Sequence, residues 1–232
     1  MADKSKVMPE RESMSRYWES QWYSKQYVLS TMEPSYLIRC SDIAGKTVLD
    51  IGCGDMSLSI SHRGAKMYVG LDIAMTPLKD ARLNEKNVEL VRADSISLPF
   101  MDCSFDSVTS INTFTLLGAE FDRAITEAGR VLKIGGSLTF DVMHTDWHVQ
   151  KGDGYTQMKT RYGTVFKGQY FDKMTTDEEG VKSALQDAGL EPKDITVLKH
   201  YQHMRLLGAS SYCFCEPDAF TNQRILARAL RK

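Results

Sequence analysis

Thr47-Val48-Leu49-Asp50-Ile51-Gly52-Cys53-Gly54-Asp55 is a short apolar strand that runs straight into a glycine turn. Glycine suits such a turn for two reasons. Tight turns often need positive φ, and a side chain would hold a ligand away from the backbone. A glycine pair alone is a weak signal, and it gains weight from the acids that end the next two strands. Met67 to Leu71 reads as a second strand ending on Asp72, about 20 residues after Gly52, where nucleotide-binding α/β folds place a carboxylate that accepts from ribose hydroxyls. Val88 to Val91 is a third strand, and Arg92-Ala93-Asp94-Ser95 sets another acid at its end, suited to an adenine amino group. Three consecutive strands thus end in a glycine turn or an acid, at the edge where open α/β sheets bind ligands. Each acid alone reads as readily as a helix cap or solvated turn residue. Their common register favours the ligand.

The turn is not a dinucleotide fingerprint, because Ser57 stands where a third glycine would complete Gly-x-Gly-x-x-Gly. Asp50 and Asp55 flank the glycines; their charge would repel a diphosphate and suits a cofactor carrying an ammonium and a sulfonium. Further along, Phe105 to Ile111 and Ser137 to Val142 read as strands four and five, and Ile195 to His200 and Ser210 to Cys215 as the last two. Helices are expected at Ser57 to Arg63, from Thr76-Pro77, over Phe121 to Leu132, and from Thr176 to Ala188, where Thr176 and Glu179 fit a capping box. Strands separated by helix-length segments are what a parallel sheet requires, because parallel neighbours need crossovers of about a dozen residues. The expected fold is α/β: a doubly wound, mostly parallel seven-stranded sheet with an antiparallel edge strand, plus an N-terminal helical segment. Residues 1–44 are expected as a helical cap, 45–216 as the main α/β domain with 144–174 as an insertion, and 217–232 as a basic C-terminal helix.

The 232 residues suit one such domain. A net charge of -1 argues against a nucleic-acid partner. The polar start carries no signal-peptide pattern, and no segment reaches the roughly 18 to 20 apolar residues that cross a bilayer. Five scattered cysteines (Cys40, Cys53, Cys103, Cys213, Cys215) fit reduced thiols and a cytoplasmic location. Trp18 and Trp22 lie four apart on one face of the first helix, either packing it on the domain or forming a lid over a substrate pocket. His144 and His148 follow the fifth strand and are the candidate bases beside the alternative of solvated loop histidines; no metal site is expected.

Four ordered blocks resemble the class I, Rossmann-like S-adenosylmethionine-dependent methyltransferases, in particular the small-molecule ubiquinone and sterol type (type 11 group). They are VLDIGCGD, YVGLDIAMTPLKDAR, VRADSISLPFMDCSFDSVTS and EAGRVLKIGGSLTFDV, running from Lys46 to Val142 and more weakly to Cys215. Met56 stands where the family commonly has a third glycine, and Ile134 where it has proline. The resemblance implies S-adenosyl-L-methionine as cofactor, with Asp50 ordering the turn and receiving the methionine ammonium, directly or through water. It implies backbone contacts to the methionine part from Gly52, Cys53 and Gly54, with ribose on Asp72 and adenine against Ile73, Asp94 and Ser95. Asn112, after the fourth strand, would line the reactive end, whereas Phe105, Asp106, Arg130, Gly135 and Gly136 would be structural. The expected activity is in-line methyl transfer to a small-molecule acceptor bound between the N-terminal helix and the insertion. An RNA or protein methyltransferase and a non-catalytic cofactor-binding protein are the alternatives; the absence of an Asn/Asp-Pro-Pro-aromatic motif at Asn112-Thr113-Phe114 lowers the case for amino-group methylation of nucleobases or glutamine. The acceptor and the oligomeric state are left open by the sequence.

Overall fold

The computed structural model describes residues 12, 14–20, 43–56, 64–145, 156–167, 172–201 and 221–232. Its centre is a parallel sheet of β1 (Thr47–Ile51), β2 (Met67–Asp72), β3 (Glu89–Arg92), β4 (Phe105–Ser110) and β5 (Leu132–His144), in the order β3-β2-β1-β4-β5. Three short strands, β6 (Thr156–Lys159), β7 (Thr164–Lys167) and β8 (Lys173–Thr176), form an antiparallel extension. It joins the end of β5 through Met143 beside Thr175 and His144 beside Thr176. Along the rest of β5 lies β10 (Thr221–Arg231), antiparallel to it and to β9 (Leu190–Tyr201). The sheet is therefore mostly parallel with antiparallel pairing toward one edge, as the alternation of elements required.

Side-chain alternation explains the layering. Leu49 and Ile51 of β1, Val69 and Leu71 of β2, Val108 of β4, and Leu138, Phe140 and Val142 of β5 share one core. That core is closed by helices α2 (Phe121–Val131) and α3 (Glu178–Asp187), which present Phe121, Ala124, Ile125 and Ala128, and Val181, Ala184 and Leu185. Helix α1 (Met75–Asn84) packs through Ala81 against a separate cluster with Val48, Tyr68 and Met56. Helices thus lie on both faces. Phe114, Phe121 and Phe140 meet at centroid distances of 5.3 to 6.4 Å. Each such ring pair adds on the order of 1 kcal/mol beyond burial. The triad clamps the segment after β4 against β5.

Several local expectations are corrected. The C-terminal basic helix expected over 217–232 is strand β10, so the α/β domain extends beyond residue 216. Arg224, Arg228 and Arg231 are spaced like one helix face, and no local feature separates that pattern from a strand. The long free edge of β5 decides, because its backbone groups need partners and β10 supplies them along seven residue pairs, Arg224 beside Met143 to Leu230 beside Ser137. The cap of α3 is Asp177, accepting from Gly180 N at 2.8 Å, one residue later than the box expected at Thr176. Helix α1 starts at Met75 after Ala74, which offers no side-chain cap. The helix expected at Ser57 to Arg63 and the strand expected at Ser210 to Cys215 lie outside the described residues.

Candidate functional site

In the order β3-β2-β1-β4-β5 the direction of chain travel reverses between β1 and β4, and open α/β sheets carry their ligand crevice at that point. A cavity opens there. Its wall contains Gly52, Cys53, Gly54, Asp72, Ile73, Asp94, Ser95 and Asn112, and Trp18 from the N-terminal helix. Nine expected site residues, dispersed over 94 positions of sequence, meet in one place. Eight of them do so because four successive strand ends share one edge, and Trp18 reaches it from the N-terminal helix.

The glycine turn is built by backbone chemistry. Gly52 and Cys53 donate to the Leu71 carbonyl at 2.6 and 3.0 Å, which pins the turn to the end of β2. Gly52 and Gly54 take φ of 74° and 57°, in the left-handed region. Met56 also has a positive φ, 60°, where the resembling family has glycine. Left-handed backbone costs a non-glycine residue about 1 to 2 kcal/mol. The Met56 side chain is 3% exposed, and burying one of its size returns about 1.5 to 3 kcal/mol, so methionine is tolerated at this corner.

Asp72 faces the turn. Its Oδ2 accepts from Gly54 N at 3.1 Å and its Oδ1 from Ala74 N at 2.9 Å, bonds that do not use up the acceptor capacity of an ionised carboxylate on the cavity wall. Burial pushes its carboxyl up to about 6; the N–H groups of Ala74, Gly54 and Ile73 oppose that rise, and Asp50 adds to it. For the ligand-free protein, a raised carboxyl contributes stability that is full below the ordinary carboxylate range and lost as pH climbs through about 6. A bound diol has the opposite preference, since its hydroxyls donate best to the ionised form. Affinity for an adenosyl ligand is therefore expected to fall up to tenfold per unit as pH drops below 6. Titration calorimetry with S-adenosylhomocysteine at pH 5, 6 and 7.5 checks this, and an affinity flat across that range rules it out.

Asp94 Oδ1 accepts from Ile96 N at 3.2 Å, and Asp94 O from Ser97 N at 3.1 Å, a tight turn that fixes the acid at the end of β3. The segment beyond is stapled from α2. Glu127 Oε2 accepts from Leu98 N at 2.8 Å, while Arg130 donates to the Leu98 and Phe100 carbonyls and to Asp102. Arg130 and Glu127 bind each other through two contacts, at 2.7 and 2.9 Å. The block that follows Asp94 therefore owes its shape to two residues on α2.

Cys53 lines the cavity as a thiol. Burial pushes its pKa far up, and the charges of Asp50 and Asp72 add to that, so no thiolate nucleophile forms near neutrality. Asp50 is not on the cavity wall. Its carboxylate accepts from Tyr68 Oη at 2.8 Å and Thr109 Oγ1 at 3.0 Å, beneath the turn that it was expected to order. Burial raises its pKa, against the pull of those two hydroxyls.

His144, the expected base, is also off the wall; its Nε2 lies 3.4 Å from Glu178 Oε2. His148 and Trp22 lie outside the described residues. Among the described residues no cluster of His, Cys, Asp and Glu could hold a metal ion. Several contributors were missed, among them Leu116 and Leu117 on the wall. Met14 and Thr113 line the cavity, and the wholly buried Asp141 accepts from Asn112 N at 2.6 Å, holding that residue at φ 59°. Strand alternation carried a signal for the last, since Asp141 shares a face with Ser137 and Thr139 while Leu138, Phe140 and Val142 face the apolar core.

A family model described as a methyltransferase domain matches residues 49–140. The chain is 32% identical over 193 residues to the ubiquinone/menaquinone biosynthesis C-methyltransferase UbiE of Idiomarina loihiensis, covering 73% of this chain and 74% of that protein. It is 36% identical over 106 residues to the fatty-acid O-methyltransferase of Mycolicibacterium smegmatis, covering 43% of this chain and 38% of that protein. Several curated relatives are matched over less than half of their length, between 38% and 46%. In fold, the chain resembles the Burkholderia thailandensis 1,6-didemethyltoxoflavin-N1-methyltransferase, solved with 1,6-didemethyltoxoflavin and S-adenosylhomocysteine. The TM-score is 0.68 at 12% identity, over 100% of this chain and 92% of that one.

Proposed function

Because the chain belongs to the class I S-adenosylmethionine-dependent methyltransferases of the type 11 group, we propose that it transfers the methyl group to a small, partly apolar acceptor. The observation that carries the acceptor class is the composition of the wall. Acids Asp55, Asp72 and Asp94 stand along the strand ends, whereas Met14, Trp18, Ile111, Leu116 and Leu117 supply apolar surface and no charge. A pocket of that kind suits a mostly apolar molecule oriented by few polar contacts. The quinone and fatty-acid relatives support the same class.

The residues present fit the cofactor. The two left-handed glycines leave backbone open to the methionine part, Asp72 keeps lone pairs for a ribose diol, and Asp94 with Ser95 stands where an adenine edge would lie. When bound, the sulfonium supplies an already activated methyl group and leaves as a neutral thioether. What remains for the protein is orientation and exclusion of water. Asn112 and Thr113, pinned by Asp141 and packed on the glycine turn, shape the wall at the reactive end. Trp18 and Met14 cover it. His144 is not assigned proton removal, and an acceptor with a free lone pair needs none.

We place the chain in the cytoplasm, a reading supported by the free thiols of Cys53 and Cys103. Among the described residues no helix is long and apolar enough to cross a membrane. The test is incubation with a cellular extract and cofactor carrying a labelled methyl group. New labelled species are expected in the small-molecule fraction by mass spectrometry. Label confined to RNA or protein would overturn the acceptor class, and failure of the wild-type protein to bind S-adenosylhomocysteine would overturn the cofactor site itself.

A further inference from the structure

Residues 14–20 are helical, and these roughly two turns carry two stripes of i, i+4 pairs. Met14 and Trp18 enter the cavity wall. On the neighbouring stripe, Ser15 and Glu19 grip the β2–α1 junction. Glu19 Oε1 accepts from Met75 N at 2.5 Å, and its Oε2 accepts from Thr76 N at 2.8 Å and from the Thr76 hydroxyl. Ser15 Oγ donates to the Ile73 carbonyl at 3.2 Å. Arg92, at the end of β3, donates from Nε to the same carbonyl at 3.1 Å and from Nη2 to Ser15 Oγ at 3.3 Å, and its Nη2 stands 3.8 Å from Glu19 Oε1.

Helix α1 begins after Ala74, which has no side chain able to cap. Its first free N–H groups are satisfied instead by a carboxylate 56 positions earlier in the chain. Such a carboxylate also complements the positive end of the helix dipole. Burial would raise the Glu19 carboxyl; the bonds from Thr76 and Met75 and the Arg92 charge outweigh it and hold it below its ordinary value, so the grip stays ionised at neutral pH. The gripped junction is the piece that shapes the ribose site. Ile73 lines the cavity, and Ala74 N is one of the two donors that orient Asp72.

We propose that Glu19 is a positioning residue for cofactor binding, acting through Met14 and Trp18 on one side and through the Ile73–Thr76 turn on the other. The proposal rests on the cofactor reading above and extends it to a residue outside the cavity wall and outside the four motif blocks. Glu19 ties a segment far from the glycine turn in sequence to the strand end that holds the ribose acid. One carboxylate thereby seats the covering helix and fixes the turn beneath it.

The test is a double-mutant cycle on the full chain, with S-adenosylhomocysteine as the calorimetric probe. Glu19→Gln leaves only one acceptor oxygen for three donors and is expected to raise Kd at least tenfold. Trp18→Ala is expected to do the same. Because Glu19 acts in part by seating Trp18, the double variant should lie within about threefold of the weaker-binding single variant. Independent losses that multiply to about a hundredfold overturn the proposal, as does a Glu19→Gln protein with wild-type affinity.

Ser15→Ala, a milder change on the same stripe, should weaken binding in the same direction. Adding Ala74→Ser to Glu19→Gln gives α1 a cap of its own. Recovery of melting temperature without recovery of affinity supports the positioning role, whereas recovery of both reduces Glu19 to a helix cap and overturns it. Wild-type protein that fails to bind the probe would instead sink the cofactor reading, so the two failures are distinguishable.

Discussion

Asp72→Ala should weaken S-adenosylhomocysteine binding by roughly a hundredfold or more while leaving the melting temperature within a few degrees of wild type. The two effects separate because this carboxylate is unfavourable for the ligand-free fold and favourable for the ligand. Its pKa, lifted to about 6 by burial, shows that the surroundings resist its charge, so deleting it relieves a desolvation cost while orphaning the Gly54 and Ala74 N–H groups. Gly54 is on the cavity wall, where water can take up its N–H, whereas Ala74 is buried, and its orphaned N–H accounts for the few degrees expected to be lost. The bound ligand loses two hydroxyl-to-carboxylate bonds, each worth about 1.5 to 3 kcal/mol for a charged partner. Asp72→Asn should rescue little. Its amide nitrogen must face either Gly54 N–H or Ala74 N–H, setting donor against donor. Calorimetry on the three proteins decides it. Equal affinity in wild type and Asp72→Ala would remove Asp72 from the site.

Gly52→Ala should lose measurable cofactor binding and also melt lower. A β-carbon on Gly52 would stand 1.9 Å from Thr113 Oγ1 and 2.7 Å from its Cβ and Cγ2, inside any contact distance. The φ of 74° adds strain of about 1 to 2 kcal/mol. Thr113 cannot easily withdraw, because its hydroxyl donates to the Ile111 carbonyl at 3.2 Å and its neighbour Asn112 is pinned to buried Asp141. The turn and the loop must therefore part, and both are cavity wall. A total cost of about 3 kcal/mol corresponds to a fall of roughly 6 to 12 °C for a chain of this length. Thr113→Gly in the same background removes all three clashing atoms and leaves only the backbone strain. It should recover part of the melting temperature and part of the binding. A single variant that melts and binds like wild type would show that the close approach of Gly52 to Thr113 does not shape the site.

The acids and glycines of the cavity wall were readable because each depends on local rules. A strand that must turn tightly toward a ligand needs glycine, and an acid that meets a diol must lie at a strand end. Asp50 shows the limit of that reading. Its position in the motif was plain, yet whether its carboxylate faces a ligand or a neighbour depends on Tyr68 and Thr109, which reach it only through strand pairing. His144 is a similar case, since its place after the strand expected to end at Val142 suggested a base, but β5 runs through it and pairing with β8 brings it to Glu178 at the start of α3.

Sequence alone determined the order of elements from β1 to β5, the sheet edge where the cavity opens, and eight of the residues on its wall besides Trp18. These follow from side-chain periodicity and from the backbone freedom of glycine, both properties of short stretches. Tertiary structure alone decided that residues 221–231 are a strand, that Asp141 steadies Asn112, and that Glu19 caps a helix 56 positions away. Each of these satisfies a backbone group that its own neighbours leave without a partner. Which distant segment supplies that partner is settled only when the sheet brings the two together.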